Sequence, residues 1–208
     1  MKQSVLAAFY DYNAPFEGVV PYFYQDKLGY VTIGVGNLVD PYVKGLRMFK
    51  KDGTRATEAE IRAEWQLVKD DPKAADLGHT HTRKYTSLRM TDEGVRALVQ
   101  RKLSENVEFL RTRFPDWDTW PADAQLGTLS VAWACGKGFR FPKFEKALKA
   151  RDWATCAAES KISTKGAPGI IPRNRAQLIC FRNAGEVERL GLDPNKLFYP
   201  SGPGGEVV

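Results

Sequence analysis

The spacing of hydrophobic residues changes period twice within the first hundred positions. Over 4–12, "SVLAAFYDY", apolar side chains fall at Val5, Leu6, Phe9 and Tyr10, the spacing of a helix, with Ser4 as its N-cap. Pro15 and Gly18 break that pattern, which puts Glu17 at or just beyond the helix end. From 19 to 36 the period shortens to two. "YFYQD" and "YVTIGV" are β-prone runs separated by "KLG", which predicts a hairpin with a short glycine-containing turn. Alternation assigns Val31, Ile33 and Val35 to one face and Tyr30, Thr32 and Gly34 to the other. With 27–29 as the turn, 26 pairs with 30 and 24 with 32. Asp26 and Thr32 are then diagonal neighbours on one face, roughly 7–8 Å apart at Cα.

Beyond the hairpin the helical period returns. Thr57 and Glu60 form a capping-box pattern that opens a helix through about Lys69, ended by Asp71, Pro72 and Gly78. Residues 70–90 carry no strong period and read as a loop. Thr91 caps a long helix over 92–113 whose buried stripe is Val95, Leu98, Val99, Leu103, Val107 and Leu110. "ADAQLGTLSVAWACG" (122–136) is apolar nearly all round and rich in small residues, the pattern of a central buried helix stopped by Gly136 and Gly138. "FPKFEKALKARD" and "DWATCAAESKI" predict two further helices, and "PRNRAQLICFRNAGEVERL" a last one opening near Pro172. The tail "YPSGPGGEVV" has no core to join and reads as mobile. The whole is α+β and mostly helical, with one small sheet near the N-terminus.

Composition narrows this little. The 208 residues, 43% hydrophobic and 27% charged, suit one domain or a small two-lobed one and exclude disorder across the chain. A net charge of +6 favours an anionic partner, and nucleic acid, a membrane surface and the bacterial cell wall all qualify. Cys135, Cys156 and Cys180 form no C-x-x-C pair and cannot all be bridged, so they read as small hydrophobes in a reduced interior. The start holds one Lys and an apolar run too short for a signal peptide or a membrane span. The expectation is synthesis in the cytoplasm without a stable membrane anchor.

Candidate chemistry centres on two carboxylates. Cleaving a glycosidic bond needs a proton for the departing oxygen and a second group to handle the anomeric carbon, which carboxyls on opposite sides of the bond supply. Glu17, between Phe16 and Val19, has the drier surroundings an acid needs. Asp26, at the lip of a turn, has backbone N–H groups and water to keep it ionised, and Thr32 on its face has a hydroxyl to hold a water. A Glu and an Asp nine apart are not specific by themselves. His79 and His81 in "HTHT" have no third ligand near them and read as a solvated loop rather than a zinc site. "CGKG" lacks the length of a P-loop and its Ser/Thr. Tyr22, Tyr24, Trp133 and Phe139 are either sugar-stacking or core aromatics.

Glu17, eight residues, Asp26, five residues, Thr32, followed by "TIGVGNL", resembles the signature of T-even phage lysozyme and related endolysins, a glycoside hydrolase family 24 type. The resemblance continues in "MTDEGVRALVQRKLSENVEFLR", similar to that family's lobe-linking helix, and in "AQLGTLSVAWACG", similar to its buried central helix. "LKARDWATCAAE" and "PRNRAQLICFRNA" are similar to its C-terminal segments. It covers about 1–38 and 90–185, while 39–89 match poorly and 190–208 look additional. The fold it implies is lysozyme-like within 1–190. A small hairpin lobe (about 13–90) and a helical lobe (about 1–12 plus 91–190) flank a cleft, and 191–208 form a partly disordered extension.

The activity it implies is that of a muramidase, hydrolysing the β-1,4 bond between N-acetylmuramic acid and N-acetylglucosamine with no metal or organic cofactor. Glu17 would be the general acid, Asp26 would position water or stabilise the transition state, and Thr32 would help hold that water, on an inverting course. Tyr24, Gly36 and Arg175 would bind or orient substrate, Arg175 beside Glu17. The bland reading of Arg175 is a surface arginine at a helix start. Asn37 departs from the family's usual His. The implied protein is a monomer acting on periplasmic peptidoglycan after release or delivery. It is a phage or prophage endolysin, or an antibacterial effector with a cognate inhibitor or immunity protein. A retired scaffold that binds glycan or nucleic acid is the reading from another class.

Overall fold

The computed structural model describes residues 1–165 and 169–203. The chain is α+β and mostly helical, with small antiparallel sheets. Two compact units divide it, residues 17–102 and residues 1–16 with 103–208. One border falls at the last residue of a helix and the other inside a helix. Helix α1 (Gln3–Glu17) crosses the first, and the long helix over Asp92–Arg113 crosses the second. Pro15 lies inside α1 instead of ending it. In the last turn a missing N–H removes one bond with little helix downstream to depend on it, and it is Gly18, left-handed at φ 74°, that stops the helix. Ser4 is likewise inside α1 and not its cap; its hydroxyl donates to the Asn195 carbonyl.

In residues 17–102, β1 (Val20–Gln25), β2 (Val31–Gly34) and β3 (Asn37–Leu38) form a sheet in the order β1-β2-β3. Tyr24 pairs with Thr32, and the Asp26 N–H donates to the Tyr30 carbonyl, the register expected of a 27–29 turn. Alternation fails in one respect. All of Val31–Val35 is buried, Thr32 included, because β2 is the central strand and its polar-face positions are filled by small residues. Behind the sheet lies α2 (Glu58–Lys69), opened by the Thr57–Glu60 capping box. Gln25 fastens β1 to the end of α2, its Nε2 donating to the carbonyls of Val68, Lys69 and Asp71. Met48–Phe49 (β4) pairs with Arg89–Met90 (β5).

Residues 70–88 are not a plain loop. They hold two single-turn helices, α3 (Ala74–Leu77) and α4 (His79–Thr82). Apolar periodicity misses them because polar closure holds them. Asp71 accepts from the Lys73 N–H on one oxygen, and from the Tyr85 hydroxyl with His81 Nε2 alongside on the other. Helix α5 (Asp92–Arg113) then starts at Thr91, whose hydroxyl accepts the Gly94 N–H, and the whole expected stripe from Val95 to Leu110 is buried.

In the other unit, α6 (Ala122–Cys135) is buried at every residue from Ala122 to Trp133. Its polar side chains are matched one by one: Thr128 to the Ala124 carbonyl, Gln125 to the Trp117 carbonyl and the Lys2 N–H, Asp123 to three donors described below. Against it packs α9 (Ile170–Leu190), with α8 (Trp153–Glu159) against α9 and α7 (Pro142–Ala150) against α8. A Cβ on Gly127 would meet the Phe181 ring at 3.0 Å, so α6 and α9 approach through that glycine. Trp133 and Phe139 are core residues of this unit, Trp133 against Phe9 and Phe139 against Phe144. Cys156 and Cys180 are buried, while Cys135 is exposed, since it sits past the buried stretch of α6.

The expectation that the tail has no core is overturned for its described part. Asn183 donates to the Ser201 carbonyl, the Tyr199 N–H donates to Asp123 Oδ1, and the Tyr199 ring stands edge-on against Tyr12 at 5.0 Å. Backbone groups make most of these contacts, and no side-chain pattern announces them. Residues 204–208 lie outside the described residues.

Candidate active site

The pleat of the hairpin sets one face. Directly paired residues share a face with Cβ atoms about 4.5–5.5 Å apart, and residues two apart on a strand do likewise. Tyr24, paired with Thr32, therefore stands beside it, and Asp26 continues the same face at the turn. Phe23 and Gln25 point the other way, into the side that carries α2. The turn is built by Asp26 itself. Its Oδ1 accepts the N–H groups of Leu28 (2.8 Å) and Tyr30 (3.0 Å), and Gly29 supplies the left-handed residue at φ 79°. Both hydrogen bonds fall on one oxygen. Oδ2 accepts from none of the described residues, so the carboxylate is aimed without being saturated. The Thr32 hydroxyl donates to the Tyr30 carbonyl at 3.2 Å, which leaves its oxygen lone pairs as acceptors.

Glu17 closes α1 and is half-buried. Tyr24 reports its position. Burial pushes the Tyr24 phenol up to about 12, and the negative charges of Glu17 and then Asp26 push the same way. Coulomb effects of this kind fade with distance in a partly solvated site, so both carboxylates act on one phenol. Tyr24, Asp26 and Thr32 thus share one face of the hairpin, and the charge of Glu17 is felt at Tyr24.

Among the arginines of "PRNRA", the buried one is Arg173 and not Arg175. Arg173 is 1% exposed and donates to Asn13 Oδ1 (3.0 Å) and to the Ser130 carbonyl (3.2 Å), with its guanidinium 5.0 Å from the centre of the Phe16 ring. Asn13 and Phe16 belong to the last turn of α1, the turn that carries Glu17. Arg175 is exposed, on the lip of a surface depression shared with Ala158, Lys161 and Ile171. Helical spacing separates the two. Ala176, Cys180, Phe181, Ala184 and Val187 are buried on α9, and that stripe extended one turn backward meets 173 and misses 175.

Gly36 is left-handed at φ 63°, and its carbonyl accepts Lys102 Nζ at 3.0 Å. It shapes the β2–β3 turn together with Asn37, which is buried and accepts the Val35 N–H at 3.2 Å. Asn37 is therefore a turn-closing amide in place of a titratable ring. The two histidines have separate partners, His79 with Tyr22 at 3.1 Å and His81 with Asp71 at 2.9 Å, and no metal-holding cluster of His, Cys, Asp or Glu occurs among the described residues. Tyr22 is not a stacking platform. It is 5% exposed, with the Arg89 guanidinium 4.5 Å from its ring centre.

No protein-family model matches the chain, and no curated protein matches it. Among the described residues, no helix is long and apolar enough to cross a membrane.

Proposed function

We propose that the chain is a peptidoglycan muramidase of lysozyme-like fold, and that it serves as a phage or prophage endolysin. The observation carrying this reading is that the charges of Glu17 and Asp26 both act on Tyr24, beside Thr32. The chemistry follows from what each group has to offer. Glu17 donates a proton to the departing sugar oxygen. Asp26, aimed by two backbone N–H groups and with one oxygen in reserve, orients the attacking water or meets the developing positive charge at the anomeric carbon. The Thr32 oxygen is a second acceptor for that water. Tyr24, its phenol held neutral, contributes a ring face and a donor without adding charge beside the carboxylates. Arg173 holds the α1 turn from which Glu17 projects, taking the orienting part that the sequence suggested for Arg175. The net charge of +6 draws the protein to an anionic wall.

Mass spectrometry of the products from purified peptidoglycan tests the reading. New reducing N-acetylmuramic acid ends are expected, and they disappear in folded Glu17→Gln. Reducing N-acetylglucosamine ends, cleaved peptides, or salt-sensitive DNA binding with no release of muropeptides would each overturn it.

A further inference from the structure

The segment 39–89, which the resemblance leaves unexplained, contributes one side chain to the open face of the hairpin. His79, the first residue of α4, is exposed. Its ring stands edge-on to Tyr24, centres 6.2 Å apart at 73°, and tilted to Tyr22 at 6.4 Å. Tyr22 Oη lies 3.1 Å from His79 Nδ1, and Tyr22 is itself pinned by the Arg89 guanidinium. Among the described residues the Tyr22 hydroxyl has one acceptor within reach, the imidazole nitrogen. In the neutral ring that bond leaves Nδ1 as acceptor and puts the proton on Nε2. Nε2 meets no partner among the described residues. Tyr24, whose phenol feels the charges of Glu17 and Asp26, thus stands edge-on to an imidazole whose Nε2 is an unused donor in that tautomer.

A solvated histidine has no need of such support. A side chain that is exposed at its tip, buttressed at its base by a buried Tyr–Arg pair, and continuous with the candidate site has the build of a ligand contact. Saccharides are bound by aromatic edges and faces together with fixed donors to hydroxyl and acetamido oxygens. His79 offers an edge and one donor.

We propose that His79, buttressed by Tyr22 and Arg89, forms a saccharide-binding position adjoining Tyr24, at which Nε2 donates to an acetamido or hydroxyl oxygen of an N-acetylated sugar next to the cleaved bond. The inference rests on the glycan-cleaving reading and deepens it. His79 binds and does not take part in proton transfer, so its loss weakens substrate binding and leaves the chemical step alone.

The test uses the full chain and soluble, uncrosslinked peptidoglycan glycan strands. His79→Ala is expected to raise KM about tenfold with kcat within about twofold, which is about 1.4 kcal/mol of binding. His79→Gln, whose amide keeps a donor, recovers part of that loss. Tyr22→Phe, which frees the ring, raises KM about threefold. Imidazole proton resonances of His79 shift when the strands are titrated into the Glu17→Gln variant. An unchanged KM in folded His79→Ala, or a fall in kcat alone, overturns the proposal. Failure of the muramidase reading looks different, because the unmodified protein then cleaves no strands. In that event strands that shift the His79 resonances still support the binding position, and strands that leave them unmoved end it.

Discussion

Asp123 and Asp26 both accept backbone N–H groups, one in each unit of the chain, yet they are built to opposite ends. Asp123 is fully buried in α6. Its Oδ1 takes Asn183 Nδ2 and the Tyr199 N–H, and its Oδ2 takes the Phe198 N–H, so both oxygens are used. Burial pushes its carboxyl up, and those three donors only partly offset it. Asp26 is half-buried and takes both its N–H groups on Oδ1, with Oδ2 in reserve. A carboxylate with both oxygens engaged is a structural joint, here the one that fastens the tail to the central helix. A carboxylate held by one oxygen is oriented and still able to act. The contrast extends to the surroundings. Residues 103–208 are dominated by close aromatic packing, with the Trp120 ring 5.1 Å from Trp117 and 5.5 Å from Trp153. Residues 17–102 add to their apolar core a set of polar closures around Gln25, Glu64, Asp71 and Asp40.

The sharpest way to break this division is to exchange its two expected outcomes. Glu17→Gln should lower glycan cleavage by about 10³-fold, the contribution of a general acid, with little change in thermal midpoint. Asp123→Asn should do the reverse. It turns one acceptor oxygen into a donor facing N–H groups, costs about 2–4 kcal/mol of stability, and leaves kcat of the folded fraction unchanged. Calorimetry paired with a turbidity assay reads both. A Glu17→Gln protein less stable than Asp123→Asn would erase the distinction.

The arginines of α9 sharpen the same point at lower amplitude. Arg173→Met strips donors from Asn13 and Ser130 and should cost about 2–3 kcal/mol, lowering activity through the α1 turn that carries Glu17. Arg175→Ala should stay within about 0.5 kcal/mol, as an exposed change does. Gly127→Ala drives a methyl against the Phe181 ring and should cost about 1–3 kcal/mol in denaturant unfolding, with KM and kcat unmoved.

What was legible in the sequence follows the same line. The apolar stripe of α5, the all-round burial of α6 and the hairpin register are all written in residue spacing, because hydrophobic burial and the β pleat impose fixed periods. The Thr57–Glu60 cap was legible for a similar reason, since reciprocal hydrogen bonds demand a fixed interval. Polar closures carry no period. Helices α3 and α4 depend on Asp71 reaching Tyr85 and His81, and the order of the tail depends on Asp123 reaching backbone groups 75 residues and more away. His79 was set aside because its partner, Tyr22, lies 57 residues earlier in the chain. Arg173 was missed for a simpler reason, that of two arginines in one motif only the helical stripe of α9 tells which is inside. The Pro15 boundary was misplaced because a proline in a last turn removes only one bond.

A modest effect tests the polar closures of residues 17–102 through pH. Asp40 accepts Lys69 Nζ at 2.7 Å and the Val31 N–H at 3.1 Å, and Lys69 also donates to the Gly29 carbonyl in the Asp26 turn. Burial pushes the Asp40 carboxyl up, but Lys69 and the Val31 N–H outweigh it and the net direction is down. A carboxyl lowered by folding contributes stability that is complete above its unfolded value, about 3.9, and is lost as pH falls through the folded value. Lys69→Met removes the partner. With Lys69 about a third exposed, water screens the pair, and the variant should lose only about 1 kcal/mol at pH 7. The same difference should hold at pH 5, where Asp40 is ionised in both folded and unfolded chains. Below about pH 4 the native protein progressively loses the contribution that the variant already lacks, so their urea midpoints should draw together as the pH falls further. Midpoints that diverge in acid would mean that Lys69 acts by packing or by its bond to Gly29 and not through Asp40, and the polar closures of residues 17–102 would then owe less to their charges than the hydrogen bonds around Asp40 imply.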